Sequence, residues 1–326
     1  MSHDIVDFET YRTEKFGSDR ETARFELIDG LSRPKARIAP KYFYDALGSK
    51  LFEAICQLDE YYLTRTEAAI FADHAAEIAE VVGPGTTLID LGAGNCEKAA
   101  RLFPALQPNH YVPVDISVEF LLRAVEALRK SYPQIPIHPV GFDFSESLAL
   151  PAMVRERSKK LFFYPGSSLG NFSPVQAAQF LTRIRAACGE RGGALLLGID
   201  LVKPVEVLEA AYDDALGVTA AFNLNALRHI NRLLGSDFSV RDWQHKAVFN
   251  AAQSRMEMHL HARRDVTVTW PGGAREFSAG EGIHTENSYK YSRRAILDLL
   301  QRNGFGETSC WSDAESGYLV CHARTI

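Results

Sequence analysis

The segment TTLIDLGAGNCEK, residues 86–98, decides the fold. A short apolar run ends at Asp90, two glycines follow at Gly92 and Gly94, and a helical pattern begins after them. Glycine lets the backbone approach a ligand closely, and the N-terminus of the following helix favours negative charge. This pattern is typical of the first strand, loop and helix of a ligand-binding α/β sheet.

Four further apolar runs follow, each ending in or near a glycine or an acid, and helical patterns such as Val118–Ser131 and Pro174–Cys188 lie between several of them. Near-continuous apolar strands that are joined by helices predict a parallel sheet covered on both faces. The four runs are HYVPVDIS (110–117), PIHPVGFDF (136–144), KLFFYPGS (160–167) and GALLLGID (193–200).

The rest of the chain does not follow this alternation of strand and helix patterns. Apolar spacing predicts helices between Phe25 and Val82, with Thr64 and Glu67 as a capping box that opens the last of them. Residues 205–234 are also predicted to be helical, and residues 246–270 to form strands. The C-terminal segment is predicted to form a helix and two strands, and these strands could pair with the main sheet as a closing hairpin.

Composition excludes several classes of function. The chain has 326 residues, 46% hydrophobic and 24% charged, with 36 basic and 41 acidic residues and a net charge of −5. There is no basic footprint for nucleic acid, no apolar run approaching the roughly 18 residues of a membrane helix, and no signal peptide pattern. Five well-separated cysteines without a C-x-x-C pair indicate reduced thiols, so we expect a cytoplasmic protein without disulfides.

The glycine loop favours a ligand without phosphates. A dinucleotide site would place a third glycine at position 97, where this chain has Glu97. A carboxylate at a helix N-terminus would repel a pyrophosphate. An oxidoreductase on a similar sheet stays open as an alternative, and Glu97 argues against it.

Acids also stand at the ends of the next two strands. Asp115 suits a ribose diol, and Asp143 with Phe144 can bind the amine edge of adenine and pack on its ring. Together with the glycine loop, these acids occur in sheet order at the strand ends where open α/β sheets bind ligands. They describe a site for S-adenosylmethionine. Taken singly, each also fits a plain structural role, as a turn glycine or a capping acid.

One strand raises the question of a metal. RMEMHLHAR (255–263) alternates, which predicts a strand with Met258 on one face and His259 and His261 on the other. Two histidines on one face could be metal ligands, but no third ligand lies at a suitable spacing. We therefore predict no metal site.

Several long segments resemble the ergothioneine-pathway histidine N-alpha-methyltransferases, and the resemblance runs from about residue 25 to the C-terminus. The segments are KYFYDALGSKLFEAICQLDEYYLTRTE (41–67), YPGSSLGNFSP (164–174), AYDDALGVTAAFNLNALRHINRLLG (211–235), RMEMHL (255–260) and GEGIHTENSYKYS (280–292). The resemblance implies three methyl transfers from S-adenosylmethionine to the alpha-amine of L-histidine, giving hercynine without a metal. The wider family also includes enzymes that methylate a tryptophan derivative.

The resemblance implies a cofactor role for five residues. It places Gly92 and Lys98 near the methionine part of S-adenosylmethionine, where the Lys98 ammonium suits the carboxylate. Asp115 matches the ribose contact, and Asp143 and Phe144 match the adenine contact.

On the substrate side, the resemblance matches Asn171 and Tyr212, with Tyr62 beside them, to the residues that hold the histidine carboxylate. Such side chains are neutral donors. Glu286 and Ser288 match the pair that binds the imidazole, since residues two apart on an extended segment share a side.

The resemblance further places Met258 against the imidazole ring as a polarisable wall. Tyr44 is the candidate for contact with the reacting amine, helped by the backbone at Gly166. The expected partner is a small amino acid, with no nucleic acid and no membrane, and the resemblance suggests a monomer.

The expected fold class is therefore α/β, a class I S-adenosylmethionine-dependent methyltransferase sheet of Rossmann-like type with a second, substrate-binding α+β unit. A protein that binds S-adenosylmethionine without transferring the methyl group is the remaining alternative. The predicted parts are a helical segment of the substrate-binding unit (1–82), the methyltransferase core (83–203), an inserted substrate-binding region (204–284) and a segment that closes the core sheet (285–326).

Overall fold

The computed structural model describes residues 21–144, 147–148, 150–190 and 192–326. Contacts divide the chain into two compact units. The first consists of the described part of Met1–Leu51 with Leu216–Ala247 and Glu257–Glu286, and the second of Phe52–Ala215, Val248–Met256 and Asn287–Ile326. None of the helices in this described part has the length and apolar character that crossing a bilayer requires.

The structure contains eleven α-helices within the described residues. They are α1 (21–32), α2 (Ala46–Ile55), α3 (Tyr62–Asp73), α4 (Ala75–Val82), α5 (Glu97–Leu106), α6 (Val118–Ser131), α7 (Ala152–Arg155), α8 (Pro174–Cys188), α9 (Val205–Ala210), α10 (Val218–Leu234) and α11 (Arg293–Arg302). Short 3-10 turns lie at Pro40–Phe43, Ser168–Asn171 and Val240–Asp242.

Twelve strands lie in the same described residues. They are β1 (Thr87–Leu91), β2 (His110–Asp115), β3 (Val140–Gly141), β4 (Lys160–Tyr164), β5 (Gly193–Asp200), β6 (Trp243–Asn250), β7 (Arg255–Ala262), β8 (Val266–Trp270), β9 (Gly273–Phe277), β10 (Gly282–Tyr289), β11 (Phe305–Ser312) and β12 (Tyr318–Thr325).

The second unit is built on a seven-stranded sheet of order β11-β12-β5-β4-β1-β2-β3. Strands β1 to β5 are parallel where they pair, whereas β12 is antiparallel to both β5 and β11. The predicted parallel sheet and its closing hairpin are therefore confirmed. The strand order reverses between β1 and β4, and open α/β sheets bind ligands at such a point, outside the carboxyl ends of the strands.

The central strands are buried along their whole length because both faces of the sheet are covered. All five residues of β1 and all five of β4 are buried. Their side chains join one core with helices α8 and α11, in which Phe162, Phe180 and Ile296 are fully buried. Helix α8 begins with a capping box in which the Ser173 hydroxyl accepts a hydrogen bond from the backbone of Gln176.

The predicted capping box of Thr64 and Glu67 is wrong. Helix α3 already begins at Tyr62 and has no side-chain cap, and a break at His74 separates it from α4. Glu67 thus lies inside a helix and is almost completely buried.

The first unit combines helix α10 with antiparallel strands. Strands β8 and β9 form a hairpin that turns at Pro271 and Gly272, and the strand order of the other sheet is β10-β7-β6. Its core includes Trp243, whose ring lies 5.0 Å from that of Phe277. Strand β7 alternates between half-buried and buried residues, as the sequence predicts.

We predict that Phe162→Ala lowers the free energy of unfolding by about 3–5 kcal/mol, because the side chain is fully buried in the central sheet and its removal leaves a cavity. Urea denaturation measures the change. The control Val175→Ala, at a position that is 69% exposed, is expected to cost less than about 0.5 kcal/mol. Equal losses in the two variants would contradict the assigned core.

A buried carboxylate in β1 makes stability depend on pH. Asp90 is 2% exposed and accepts a hydrogen bond of 2.7 Å from the Tyr111 hydroxyl. Burial raises the pKa of Asp90 to about 7, although the Tyr111 hydrogen bond lowers it in part. An unfolded aspartate titrates near pH ~3.9, so the folded chain binds the extra proton between these values and loses stability as the pH rises through them.

We predict that Asp90→Asn removes this loss, because the amide oxygen still accepts from Tyr111 but carries no charge. Between about pH 5 and 7.5, the wild type is expected to lose about 2 kcal/mol more than the variant. Urea denaturation at both pH values measures the difference. Asp73→Asn, at an exposed position at the end of α3, is expected to follow the wild type. An equal change in the free energy of unfolding between the two pH values in the wild type and Asp90→Asn would show that Asp90 does not cause the loss.

Candidate active site

The conformation of the glycine loop after β1 depends on the backbone angles of its two glycines and on one carboxylate. Gly92 and Gly94 adopt positive φ angles of 77° and 53°, which favour glycine. The Asp115 carboxylate accepts hydrogen bonds from the backbone N–H of Gly94 at 2.9 Å and of Ser117 at 2.8 Å. The acid at the end of β2 therefore fixes the loop that follows β1. Burial raises the pKa of Asp115, and these backbone donors lower it in part.

The third strand end reaches the same loop. A Cβ atom at Gly92 would lie 3.7 Å from the Phe144 ring, so this ring lies next to the loop. Phe144 also packs edge-on against Tyr164, with ring centroids 5.9 Å apart. Burial raises the pKa of Tyr164, and the nearby Asp143 carboxylate raises it further. The structure thus brings the predicted residues of three strand ends together around one loop.

Glu67 links helix α5 to the loop after β4. Its carboxylate accepts hydrogen bonds from the backbone N–H of Gly166 at 2.6 Å and the Tyr318 hydroxyl at 2.7 Å, and it forms an ion pair of 2.7 Å with Lys98. Glu67 is 1% exposed, so its charge is stabilised by these donors. A Cβ atom at Gly166 would lie 3.0 Å from the Lys98 Nζ, which leaves room for glycine alone without movement.

A second buried carboxylate, Asp200, ends β5. It forms an ion pair of 2.8 Å with Lys290, a second one with Lys203, and it accepts a hydrogen bond of 2.7 Å from the Tyr62 hydroxyl. The backbone N–H of Asp200 donates to the Ser167 hydroxyl at 3.0 Å. Burial raises the pKa of Tyr62, and the neighbouring Asp200 charge raises it further. Tyr62 is therefore a neutral phenol whose proton points at Asp200.

Lys290 joins Asp200 to two predicted substrate residues. Its ammonium donates to the hydroxyls of Tyr212 and Ser288, both at 3.0 Å, and Tyr212 in turn donates to Ser288 at 2.8 Å. Burial by itself lowers the pKa of Lys290, but the Asp200 carboxylate together with Tyr212 raises it above its usual value. Lys290 is thus a buried cation with three partners.

Asn171 lies at the end of the 3-10 turn Ser168–Asn171 and is half-buried. The preceding Gly170 packs so closely that a Cβ atom there would lie 2.8 Å from the backbone oxygen of Tyr289 and 3.4 Å from the Ser288 hydroxyl. The turn that carries Asn171 is therefore next to Ser288.

Three predicted residues belong to the first unit. Tyr44 is half-buried and lies edge-on to Phe222, with ring centroids 5.7 Å apart. Met258 is 2% exposed on the buried face of β7. Glu286 is half-buried on β10, and its backbone oxygen lies 2.9 Å from a ring nitrogen of His284.

A group of possible metal ligands also lies in the first unit. Glu257, His259 and His284 each offer one ligand atom, and these atoms all lie within 4.8 Å of one another. The sequence argument that no third ligand accompanies His259 is therefore incomplete, because His284 comes from strand β10 and not from β7. His261, which the sequence paired with His259, is not part of the group, and its ring lies 2.9 Å from the backbone oxygen of Gly280.

Sequence reasoning missed four charged residues of the site, namely Glu67, Asp200, Lys203 and Lys290. Asp200 carried a signal, since it ends an apolar strand just as Asp115 does. Lys290 lies in the segment GEGIHTENSYKYS, but a lysine among polar residues looks like an exposed one. Its burial depends on contacts with residues far away in the sequence.

Comparison with known proteins shows similarity to one family. A family model described as a histidine-specific methyltransferase, SAM-dependent, matches residues 23–325. The histidine N-alpha-methyltransferase of Mycolicibacterium smegmatis is 38% identical over 302 residues, which cover 91% of this chain and 92% of the relative. The protein of the same name from Mycobacterium tuberculosis is 39% identical over 296 residues, which cover 89% and 91%.

A longer relative matches as well. Ergothioneine biosynthesis protein 1 of Neurospora crassa is 29% identical over 317 residues, which cover 95% of this chain and 35% of that protein. The family match spans both units, and the mycobacterial relatives are matched over nearly their whole length. This chain therefore belongs to the family of histidine-specific, S-adenosylmethionine-dependent methyltransferases.

Proposed function

We propose that this chain methylates the alpha-amine of L-histidine three times with S-adenosylmethionine, giving hercynine for ergothioneine biosynthesis. One observation carries the proposal. Within the second unit, contacts lead from Lys98 in α5 through Glu67 to Gly166, and from the adjacent Ser167 to Asp200. Helix α5, the loop after β4 and the end of β5 are thereby fixed to one another, as a two-substrate site requires.

The residues around the glycine loop fit S-adenosylmethionine. We propose that Gly92 and Lys98 bind its methionine part, Asp115 its ribose, and Asp143 and Phe144 its adenine. The Phe144 ring beside Gly92 offers an apolar face, and the Asp115 carboxylate offers acceptors for hydroxyl groups. The Lys98 ammonium keeps donors for a carboxylate while it pairs with Glu67.

For the substrate, we propose that Asn171, Tyr212 and Tyr62 bind the carboxylate of histidine. In the structure, the proton of Tyr62 is directed to Asp200 and that of Tyr212 to Ser288. The amide of Asn171 is therefore the donor best suited to direct contact, and the two phenols shape the pocket around it.

For the side chain of the substrate, we propose that Glu286 accepts a hydrogen bond from one ring nitrogen and that Ser288 bonds the other. Met258 would pack against the ring. A carboxylate and a hydroxyl at the two nitrogens distinguish imidazole from a purely apolar ring, because a buried polar group that finds no partner is costly.

Methyl transfer requires that the two substrates are aligned more than it requires a reactive side chain. When bound, S-adenosylmethionine supplies a methyl group on a sulfonium, which is a good leaving group. The chain must hold the amine nitrogen in line with the methyl carbon and sulfur, and exclude water. An alpha-amine is largely protonated at neutral pH, so a proton must leave before each transfer. We propose that Tyr44 contacts the amine directly or through water, helped by the backbone at Gly166.

We further propose that the chain acts as a monomer in the cytoplasm on a small amino acid, without nucleic acid or membrane. Its net charge of −5 gives no overall basic character that would attract a polyanion, and its five cysteines are all free.

The test is incubation with S-adenosylmethionine and each aromatic amino acid in turn, followed by mass spectrometry. We expect histidine alone to gain one, two and then three methyl groups. Glu286→Ala is expected to lower kcat/KM for histidine by about 100-fold and to change the Kd of S-adenosylhomocysteine by less than about twofold, because only the imidazole loses a partner. The control Glu276→Ala removes an exposed acid from β9 and is expected to behave as the wild type.

Three results would contradict the proposal. Methylation of tryptophan in preference to histidine would reassign the substrate. Binding of S-adenosylmethionine without transfer to any amino acid would favour a non-catalytic protein, and tighter binding of NAD would favour the oxidoreductase alternative.

We predict that the transfer needs no metal, because alignment of a neutral amine with a sulfonium requires no Lewis acid. Dialysis against EDTA is expected to change the rate of histidine methylation by less than about twofold. The opposite result would be a loss of rate that added Zn²⁺ reverses in the wild type but not in His259→Ala. The group of Glu257, His259 and His284 would then be part of the reaction.

A further inference from the structure

The buried Lys290 ammonium has all three of its protons committed. It contacts Asp200 at 2.8 Å, and the hydroxyls of Tyr212 and Ser288 at 3.0 Å each. An ammonium group has three donors and no acceptor. The side chains of Lys290 and Asp200 are both 0% exposed, so no water competes for these positions. The direction of every hydrogen bond from Lys290 is therefore fixed.

This arrangement sets the direction of the next hydrogen bond as well. The single proton of Tyr212 goes to Ser288, at 2.8 Å. The Ser288 oxygen thus accepts from both Lys290 and Tyr212, and a hydroxyl oxygen has two lone pairs. Both are then used. The proton of Ser288 has to point away from Lys290 and Tyr212.

We propose that Lys290, with Asp200 as its counter-ion, is a positioning residue that makes Ser288 an obligatory hydrogen-bond donor to the substrate ring. The inference rests on the proposed function, in which Ser288 binds one nitrogen of imidazole. A donor at this position selects a ring with an unprotonated nitrogen there, which is the neutral imidazole. It rejects an imidazolium and it rejects a ring that has only C–H at that position.

The ion pair makes this selection stable. A carboxylate without a partner, or an ammonium without acceptors, would be costly to bury, so Lys290 and Asp200 hold each other in place. Asp200 is in turn fixed by Lys203 and by the Tyr62 hydroxyl. The Ser288 proton is thereby oriented before the substrate binds, and no rotamer freedom has to be lost at that moment.

The first test is steady-state kinetics of Lys290→Met and Ser288→Ala. Both are expected to raise KM for histidine by about tenfold or more and to lower kcat by less than about threefold, since the amine and the methyl donor keep their places. The KM for S-adenosylmethionine is expected to change by less than about twofold. Ser288→Thr keeps the hydroxyl and is expected to raise KM for histidine less than Ser288→Ala does.

Lys160→Met is the matched control for loss of a buried lysine. Lys160 is 4% exposed in the same unit and donates to the backbone oxygen of Cys188, at the amino end of β4. Its replacement is expected to lower the melting temperature without changing KM for histidine. This control separates general destabilisation from loss of the oriented hydroxyl.

A binding measurement covers the case in which Lys290→Met fails to fold. In the presence of S-adenosylhomocysteine, Ser288→Ala is expected to weaken histidine binding by about tenfold and leave phenylalanine binding unchanged within about twofold, because phenylalanine has no ring acceptor to lose. Equal weakening of both ligands, or an unchanged KM for histidine in folded Lys290→Met, would overturn the inference. A wild-type enzyme that does not methylate histidine would instead refute the proposed function.

Discussion

The Asp200 carboxylate is the charge on which the active-site region of the second unit depends. It lies at the end of β5 with no exposure to solvent and is shared by two ammonium groups and one phenol. Burying such a group is unfavourable unless every partner is in place, so the cluster tolerates few alternative arrangements. The positions of Tyr62, Tyr212 and Ser288 follow from it, because their hydroxyl groups complete the hydrogen bonding of Asp200 and Lys290.

Glu67 plays the corresponding part on the other side of the loop after β4. It holds Lys98 and the backbone of Gly166, and Ser167 then connects to Asp200. Two buried acids thus fix one loop, between strands whose order reverses at β1 and β4. A family that aligns two small molecules for methyl transfer needs such rigidity, because the reaction gains its rate from alignment and not from a strong nucleophile.

Much of the second unit could be predicted from the sequence. The apolar strands, the helices between them and the closing hairpin carry strong local patterns, and the Rossmann-like class follows from them. The clustering of Gly92, Asp115 and Phe144 was also predictable, since the ends of neighbouring parallel strands meet at one edge. Thr64 and Glu67 were misleading, because their spacing imitates a helix cap while tertiary contacts bury Glu67 inside α3.

Features that depend on distant contacts could not be predicted in this way. Nothing local distinguishes the buried Lys290 from an exposed lysine, and the partnership of His259 with His284 depends on which strands pair. Of the proposed substrate residues, Ser288 and Tyr212 were found through family motifs, whereas the ion pair that orients them became visible only in three dimensions. Residue type and spacing pointed to the groups proposed to contact a ligand, but not to the buried charges that support them.

A crystal structure of the enzyme with S-adenosylhomocysteine and histidine tests the central claim most directly. We expect the nucleoside to lie between Gly92, Asp115 and Phe144, and an imidazole nitrogen to lie within hydrogen-bond distance of a Ser288 hydroxyl that still contacts Lys290. A ring carbon instead of a nitrogen facing Ser288, or histidine bound away from Asn171 and Ser288, would contradict this claim.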